Sequence, residues 1–152
     1  MSADARSPAG CVCFVTDEFA GVGPHGSIGT HLLLLSRLLA RRTWDVHVLY
    51  CGPTPDEQAP ARIAEQLALQ GISITTLDAE PAPAWHGVPS FGDGMGTLAA
   101  SQRALEALQR LHARHRFDLI EFSDRNALGF RAAQAKRSGI ALADVRRKGI
   151  VQ

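Results

Sequence analysis

CVCFVTDEFAGVGPHGSIGTHLLLLSRLLARR, residues 11 to 42, decides the fold of this chain. Its first six residues are apolar and β-rich without polar alternation, the pattern of a strand buried on both faces of a parallel sheet. A glycine-rich loop follows, Asp17 to Pro24 and then Gly26-Ser27-Ile28-Gly29-Thr30, with Ser27 placed to cap a helix. Ile28, Leu32, Leu35 and Leu39 continue at helical spacing, so the helix should run to about Arg42. Leu33, Leu34 and Leu38 widen the stripe and predict a helix covered on more than one side, as at a domain interface. A glycine loop feeding a helix N-terminus is a common phosphate cradle, because the first helical N–H groups have no intrahelical partner and sit at the positive dipole end.

Working outward, DVHVLYC at 45 to 51 reads as a second strand ending at Gly52-Pro53. A second helix starts near Pro60, carries Ile63, Leu67 and Leu69, and stops at Gly71. ISITTL, 72 to 77, is a β-branched third strand. Residues 78 to 96 read as a long loop in which Trp85 and Phe91 are anchors. A third helix is expected over 97 to 115 with Leu98, Leu105, Leu108 and Leu111 on one face and Arg103, Arg110 and Arg114 as a solvated face, then a fourth strand FDLIEF over 117 to 122. A fourth helix is expected over 126 to 138, ending at Ser138-Gly139. The tail IALADVRRKGIVQ should supply a fifth strand, yet Asp144, Arg146, Arg147 and Lys148 interrupt it. The β-α alternation predicts an α/β, Rossmann-like, doubly wound parallel sheet of order 3-2-1-4-5 whose fifth strand is incomplete or irregular.

Composition narrows the function. The 152 residues suit one domain, over 11 to 152, after a leader of ten small and polar residues read as disordered. A formal net charge of +1 gives no global attraction to nucleic acid. No apolar run approaches the roughly 20 residues of a membrane span, and the start lacks a secretory pattern, so a cytoplasmic location is expected. Cys11 and Cys13 share one face of the first strand and Cys51 ends the second; without a further ligand pair they read as small buried thiols rather than a metal site.

Gly21-Val22-Gly23-Pro24-His25-Gly26 matches the dinucleotide pattern GxGxxG, but its context is wrong. The first glycine lies five residues past Thr16, Pro24 interrupts it, and the second strand ends Leu49-Tyr50-Cys51 with no acid for a ribose hydroxyl. No GK[ST] completes a P-loop either.

Two stretches carry a resemblance. The opening unit looks like that of the family 4 glycosyltransferases of the GT-B type, with Gly26-Ser27-Ile28-Gly29 standing for the GG[IVL]G-like loop and Ser27 replacing its second glycine. Phe117 to Asp124, FDLIEFSD, is similar to the family's fourth strand, with Glu121 and Ser123 where histidines are frequent and Asp124 on the acid. Ser123 cannot do an imidazole's chemistry; since some members read EFPD or EFSD, the change can mark a subgroup with another acceptor.

The resemblance implies one half of a GT-B enzyme: the N-terminal, acceptor-side domain, with the donor-binding C-terminal domain absent from these residues. Such a truncated chain is expected to be inactive alone. Completed by a second domain, it would transfer sugar from a nucleotide-sugar to a glycosyl acceptor with retention of configuration, without a metal or another cofactor. Gly26, Ser27, Ile28, Gly29 and Thr30 would face the donor phosphates, and Glu121, Ser123 and Asp124 would orient the acceptor, with no catalytic residue assigned. No nucleic-acid partner is expected, and peripheral membrane contact is compatible. Bland roles stand beside these: Gly26 and Gly29 can serve close helix–sheet packing, and Asp124 can cap the fourth helix. Glu18 and His25 read as solvated loop residues, and His31, His47, His112 and His115 as structural or surface residues. The alternative function is a stand-alone Rossmann-like module binding an anionic ligand or a partner subunit; a flavodoxin-like signalling domain lacks its acidic cluster and lysine.

Overall fold

The computed structural model of the chain describes residues 8–77, 92–145 and 150–151. Four strands form a parallel sheet of order β3-β2-β1-β4: β1 Gly10–Thr16, β2 Trp44–Tyr50, β3 Ile72–Thr76 and β4 Leu119–Phe122. Ile150–Val151 lie parallel beside Ile120 and Glu121, a pairing too short to make a full fifth strand. The helices are α1 Ser27–Arg41, α2 Ala59–Ala68, α3 Gly92–His115 and α4 Phe130–Arg137.

Alternation along the strands divides the core into two layers. Val12 and Phe14 of β1, with Val46, Val48 and Tyr50 of β2, pack under Leu32 of α1 and Leu67 of α2. The residues between them, Cys13, Val15 and Leu49, point the other way, onto Leu105, Leu108 and Leu111 of α3 and Ala132 and Ala135 of α4. Both faces of the central strands are thus covered, which is why β1 reads as an unbroken apolar run. The register pairs Val12 with Val46 on one side and with Leu119 on the other, so β1 is the central strand.

The expected elements need local corrections. Gly26, not Ser27, is the N-cap of α1, and no side chain caps it. The broad leucine stripe of α1 is covered only in part: Leu32 is buried and Leu33, Leu35 and Leu39 pack partly buried against the core, but Leu34 and Leu38 are 58% and 51% exposed. Leu69 is the C-cap of α2 rather than part of its body and is exposed, the chain turning away two residues later at Gly71 (φ +75). α3 starts at Gly92, five residues before the expected start, despite three glycines in its first turns. α4 starts at Phe130, later than expected, because Asn126 (φ 57) and Ala127 (φ 48) lie in the left-handed region and break the helical path. Its end is as expected: Gly139 (φ 71) follows the last turn, and Ile140 N–H closes on Ala135 O at 2.9 Å. Trp85, Phe91 and residues 1–7 of the leader lie outside the described residues, whereas the leader's last two residues are not loose: Ala9 donates its N–H to Thr43 O at 2.9 Å and Gly10 opens β1.

Gly23, inside the GxGxxG match, has a packing role. A Cβ there would sit 2.6 Å from Pro53 O, beside the hydroxyl that Tyr50 donates to the same carbonyl at 2.8 Å. The glycine permits the loop after β1 to close over the end of β2.

Candidate functional site

Strand order turns around β1: the chain moves outward through β2 and β3, then returns to add β4 on the other side. The crevice past the carboxyl ends of β1 and β4 is therefore the switch point where open α/β sheets place ligands. Two loops meet there, one from β1 to α1 and one from β4 to α4.

Thr16, fully buried at the end of β1, shapes the first loop. Its hydroxyl accepts the Glu18 N–H at 3.1 Å and donates to Glu18 O at 2.9 Å, turning the chain so that the Glu18 carboxyl comes back under α1. Glu18 Oε2 accepts the Gly26 N–H at 2.7 Å, and Oε1 pairs with the Arg125 guanidinium. The Gly26 N–H holds this carboxyl below the ordinary carboxylate range, Arg125 adding to it against the opposing effect of burial. The expectation that Glu18 is a solvated loop residue is thus overturned: its side chain is only 9% exposed, because the helix end and Arg125 draw it inward. Beside it, the Asn126 amide donates to Asp17 Oδ2, so two carboxylates after β1 are tied to two side chains after β4. This contact accompanies the left-handed backbone at Asn126 and Ala127, a conformation that costs about 1–2 kcal/mol at an alanine.

Gly29 is a packing glycine. A Cβ there would meet His25 Cβ at 2.7 Å and Phe19 N at 3.1 Å, so its absence lets α1 settle on the loop. At Gly26 the nearest atom would be Glu18 Oε2 at 3.4 Å, an ordinary contact. Thr30 donates its hydroxyl weakly to Gly26 O at 3.4 Å. Of the expected phosphate loop, Ser27 and Ile28 reach the cleft wall, whereas Gly26, Gly29 and Thr30 are not among its lining residues.

The cleft itself has a volume of about 530 Å³. Phe14, Val15, Leu32 and Phe122 make its apolar part, with Ile28 at the mouth of α1. Glu121, Ser123 and Asp124, the three residues expected on the acceptor side, line it together from the end of β4, and His31 faces it from α1. Asp124 precedes the short turn Arg125–Ala127 but makes no capping bond, and the N-cap of α4 is Gly129, so the capping role expected for Asp124 is not realised. Ser123 donates its N–H to Val15 O at 3.0 Å, while its Oγ is shielded from solvent and has no hydrogen-bond partner.

Three histidines, His47, His112 and His115, gather around Phe117 at the opposite, amino-terminal end of the strands. His47 contacts Thr75 Oγ1 at 3.1 Å, its ring lies 4.7 Å from that of His115, and burial, then His115, lowers its pKa to about 4. His112 accepts the Phe117 N–H at 3.1 Å and reaches Asp144 at 3.0 Å. Cys11 lines a polar pocket of about 240 Å³ with His47 and His115, and its thiol is pushed up to about 11 by burial, then by Asp45 and Asp118. Among the described residues no group of three or more His, Cys, Asp or Glu is arranged to hold a metal ion, and no helix is long and apolar enough to cross a membrane.

What the motif reading missed is the stitch between the loops: Asp17 and Glu18, Arg125 and Asn126, with His31 at the rim. A signal was present, since an acidic pair directly after β1 and a basic-polar pair almost directly after β4 must meet once those strands are neighbours. Comparison of the chain with models of known protein families, and with curated proteins, returns no match.

Proposed function

We propose that this chain is the acceptor-side half of a two-domain, retaining sugar transferase similar to the family 4 GT-B enzymes. The observation that carries this reading is the convergence of Ser27 and Ile28, from the glycine loop, with Glu121, Ser123 and Asp124, from the end of β4, on one cleft at the switch point. The first-turn N–H groups of α1, which have no carbonyl partner within the helix, face the leaving diphosphate of a nucleotide-sugar, where charge develops in the transition state. Gly26 contributes indirectly, because its N–H is engaged by Glu18. Glu121, Ser123 and Asp124 orient acceptor hydroxyls. A donor-binding domain, supplied beyond this sheet, covers the exposed leucines of α1 and holds the nucleotide. A completed fifth strand beyond β4, a cytoplasmic location and transfer without a metal or other cofactor belong to the same proposal.

A stand-alone module for an anionic ligand fits less well. Glu18 already occupies the anion position under α1, and Glu121 and Asp124 add negative charge to the cleft. The test is a titration of the chain with a panel of nucleotide-sugars, followed by amide NMR and by a transfer assay after fusion to the donor half of a family 4 enzyme. Millimolar binding that moves the amides of Ser27 to Thr30, with turnover only in the fusion, supports the half-site. Micromolar binding by the chain alone overturns it.

A further inference from the structure

The turn between β4 and α4 is held in a form that its own residues do not favour. Asp124, Leu128 and Gly129 have right-handed helical backbone, and between them Asn126 (φ 57, ψ 17) and Ala127 (φ 48) are left-handed. For alanine this region is disfavoured because Cβ crowds the following carbonyl oxygen, and asparagine enters it as a local exception. Such residues persist where their surroundings over-determine them, and they concentrate in segments that switch. The surroundings here are the loop after β1: Asn126 donates to Asp17, and Arg125 pairs with Glu18.

Two further observations are independent of these angles. Among the described residues, the buried side-chain atoms without a hydrogen-bond partner are Asp17 Oδ1, Ser123 Oγ and Arg131 Nε, together with Ser36 Oγ on α1. All but the last lie in the β4–α4 segment or on the loop that holds it, so the polar network that fixes the turn is only partly satisfied, a costly condition that a rearrangement can relieve. The second is an idle cap. Asp124 stands where an acid caps a helix beginning at Arg125, yet it makes no capping bond. Right-handed backbone at Asn126 and Ala127 would join Leu128, Gly129 and α4 into one helix from Arg125 to Arg137, with the Asp124 carboxylate accepting from the Asn126 or Ala127 N–H.

We infer that this turn is a two-state switch in the wall of the cleft. In the form seen here α4 is broken and Asp124 lines the cleft. In the other form α4 begins at Arg125, the Asp124 carboxylate is withdrawn to its cap, and Arg125 and Asn126 leave Glu18 and Asp17. One carboxylate cannot cap the helix and bond a ligand in the cleft together, so occupation of the cleft at Asp124 favours the broken form. The switch stands on the geometry of the turn and does not depend on the glycosyltransferase reading.

The experiment is NMR on the whole chain. Strong contacts within a residue between N–H and Hα mark left-handed backbone at 126 and 127, contacts from Hα to the N–H three residues on mark the longer helix, and relaxation dispersion detects exchange between them. The native chain is expected to show left-handed 126 and 127, with exchange over residues 123 to 131 from a minor form populated at roughly 0.1–10%. Asn126→Ala removes the bond to Asp17 and favours right-handed backbone, so the helical form should rise by about tenfold or more. Adding Asp124→Ala to it should lower that population about fivefold through loss of the cap, whereas adding Asp124→Asn should preserve it. The Asn126→Gly, Ala127→Gly double variant relieves the left-handed backbone, and should suppress the exchange and raise the melting temperature. Left-handed backbone retained at 127 in a folded Asn126→Ala variant overturns the inference, as does an Asp124→Ala change that leaves its helical population unmoved. Should Asn126→Ala fail to fold, the double glycine variant decides: suppressed exchange supports the switch, and exchange that is absent from the native chain or unchanged in the variant refutes it.

Discussion

Glu18 is the residue on which the two loops depend, because one carboxylate accepts from the start of α1 and pairs with the turn after β4. Glu18→Ala should lower the melting temperature, since it leaves the Gly26 N–H and Arg125 without their acceptor. Glu18→Gln should lower it less, because an amide oxygen still accepts from Gly26 while the ion pair is lost; a larger loss for Gln than for Ala in thermal denaturation would refute this. The two glycines of the loop separate in the same way. Gly29→Ala forces a methyl against His25 Cβ and the Phe19 backbone and should cost about 1–3 kcal/mol, whereas Gly26→Ala, with only an ordinary contact to Glu18, should cost no more than about 1 kcal/mol in urea unfolding. The residue types were readable in the sequence, but their division of labour was not. A glycine that admits a ligand and one that admits another segment of the same chain look alike until the neighbour is known.

At the scale of elements, α1 has two sides with different fates. Leu32 is buried against β1 and β2, and Leu32→Ala should cost about 2–5 kcal/mol. Leu34→Ser and Leu38→Ser should each change the stability of this chain by no more than about 0.5 kcal/mol, because both side chains are half exposed already. A large loss in chemical unfolding from either would mean that this side of α1 is packed after all. Helical periodicity located the stripe but overstated its burial: six leucines in eight positions exceed what one sheet face can cover, and spacing alone does not say which of them find a neighbour. The boundary errors at α3 and α4 have a similar origin. Glycines at 92, 94 and 96 argue against a helix locally, yet the backbone there is helical; at 126 and 127 the side chains are acceptable in a helix, yet the link from Asn126 to Asp17 accompanies a different path.

For the whole molecule, His47, at the amino-terminal end of the strands, sets a pH dependence of stability. His47 titrates near 6.5 when unfolded and at about 4 when folded, so between those values the unfolded chain binds the extra proton. Its contribution is therefore fully present above about pH 6.5 and declines as pH falls to about 4, by up to about 3 kcal/mol. The carboxyls of Glu18, Asp56 and Asp144, all held below their ordinary values, work at lower pH: their contributions are present above the usual carboxylate range and vanish as pH falls through their folded values. Urea unfolding at stepped pH should show stability falling already between pH 6.5 and 4, and His47→Gln should flatten that part of the curve. An unchanged slope in His47→Gln would show that the ring is not the group responsible.

The sequence by itself determined the α/β alternation, the parallel strands and their 3-2-1-4 order, because unbroken apolar runs of strand length, punctuated by amphipathic helices, can bury themselves in few other ways. It also marked Ser27, Ile28, Glu121, Ser123 and Asp124, since residues at the carboxyl ends of adjacent parallel strands and at the following helix start must lie near one another. Only the tertiary structure decided that Gly26 faces Glu18 and that Gly29 packs against His25 and Phe19. It decided too that Arg125 is committed to Glu18 rather than to the carboxylates of the cleft. Those outcomes depend on which of several nearby partners lies within hydrogen-bonding distance across the fold, where a displacement of an ångström exchanges one partner for another. The opening glycine loop thus forms the wall of a cleft, with the chain's own carboxylate beneath it.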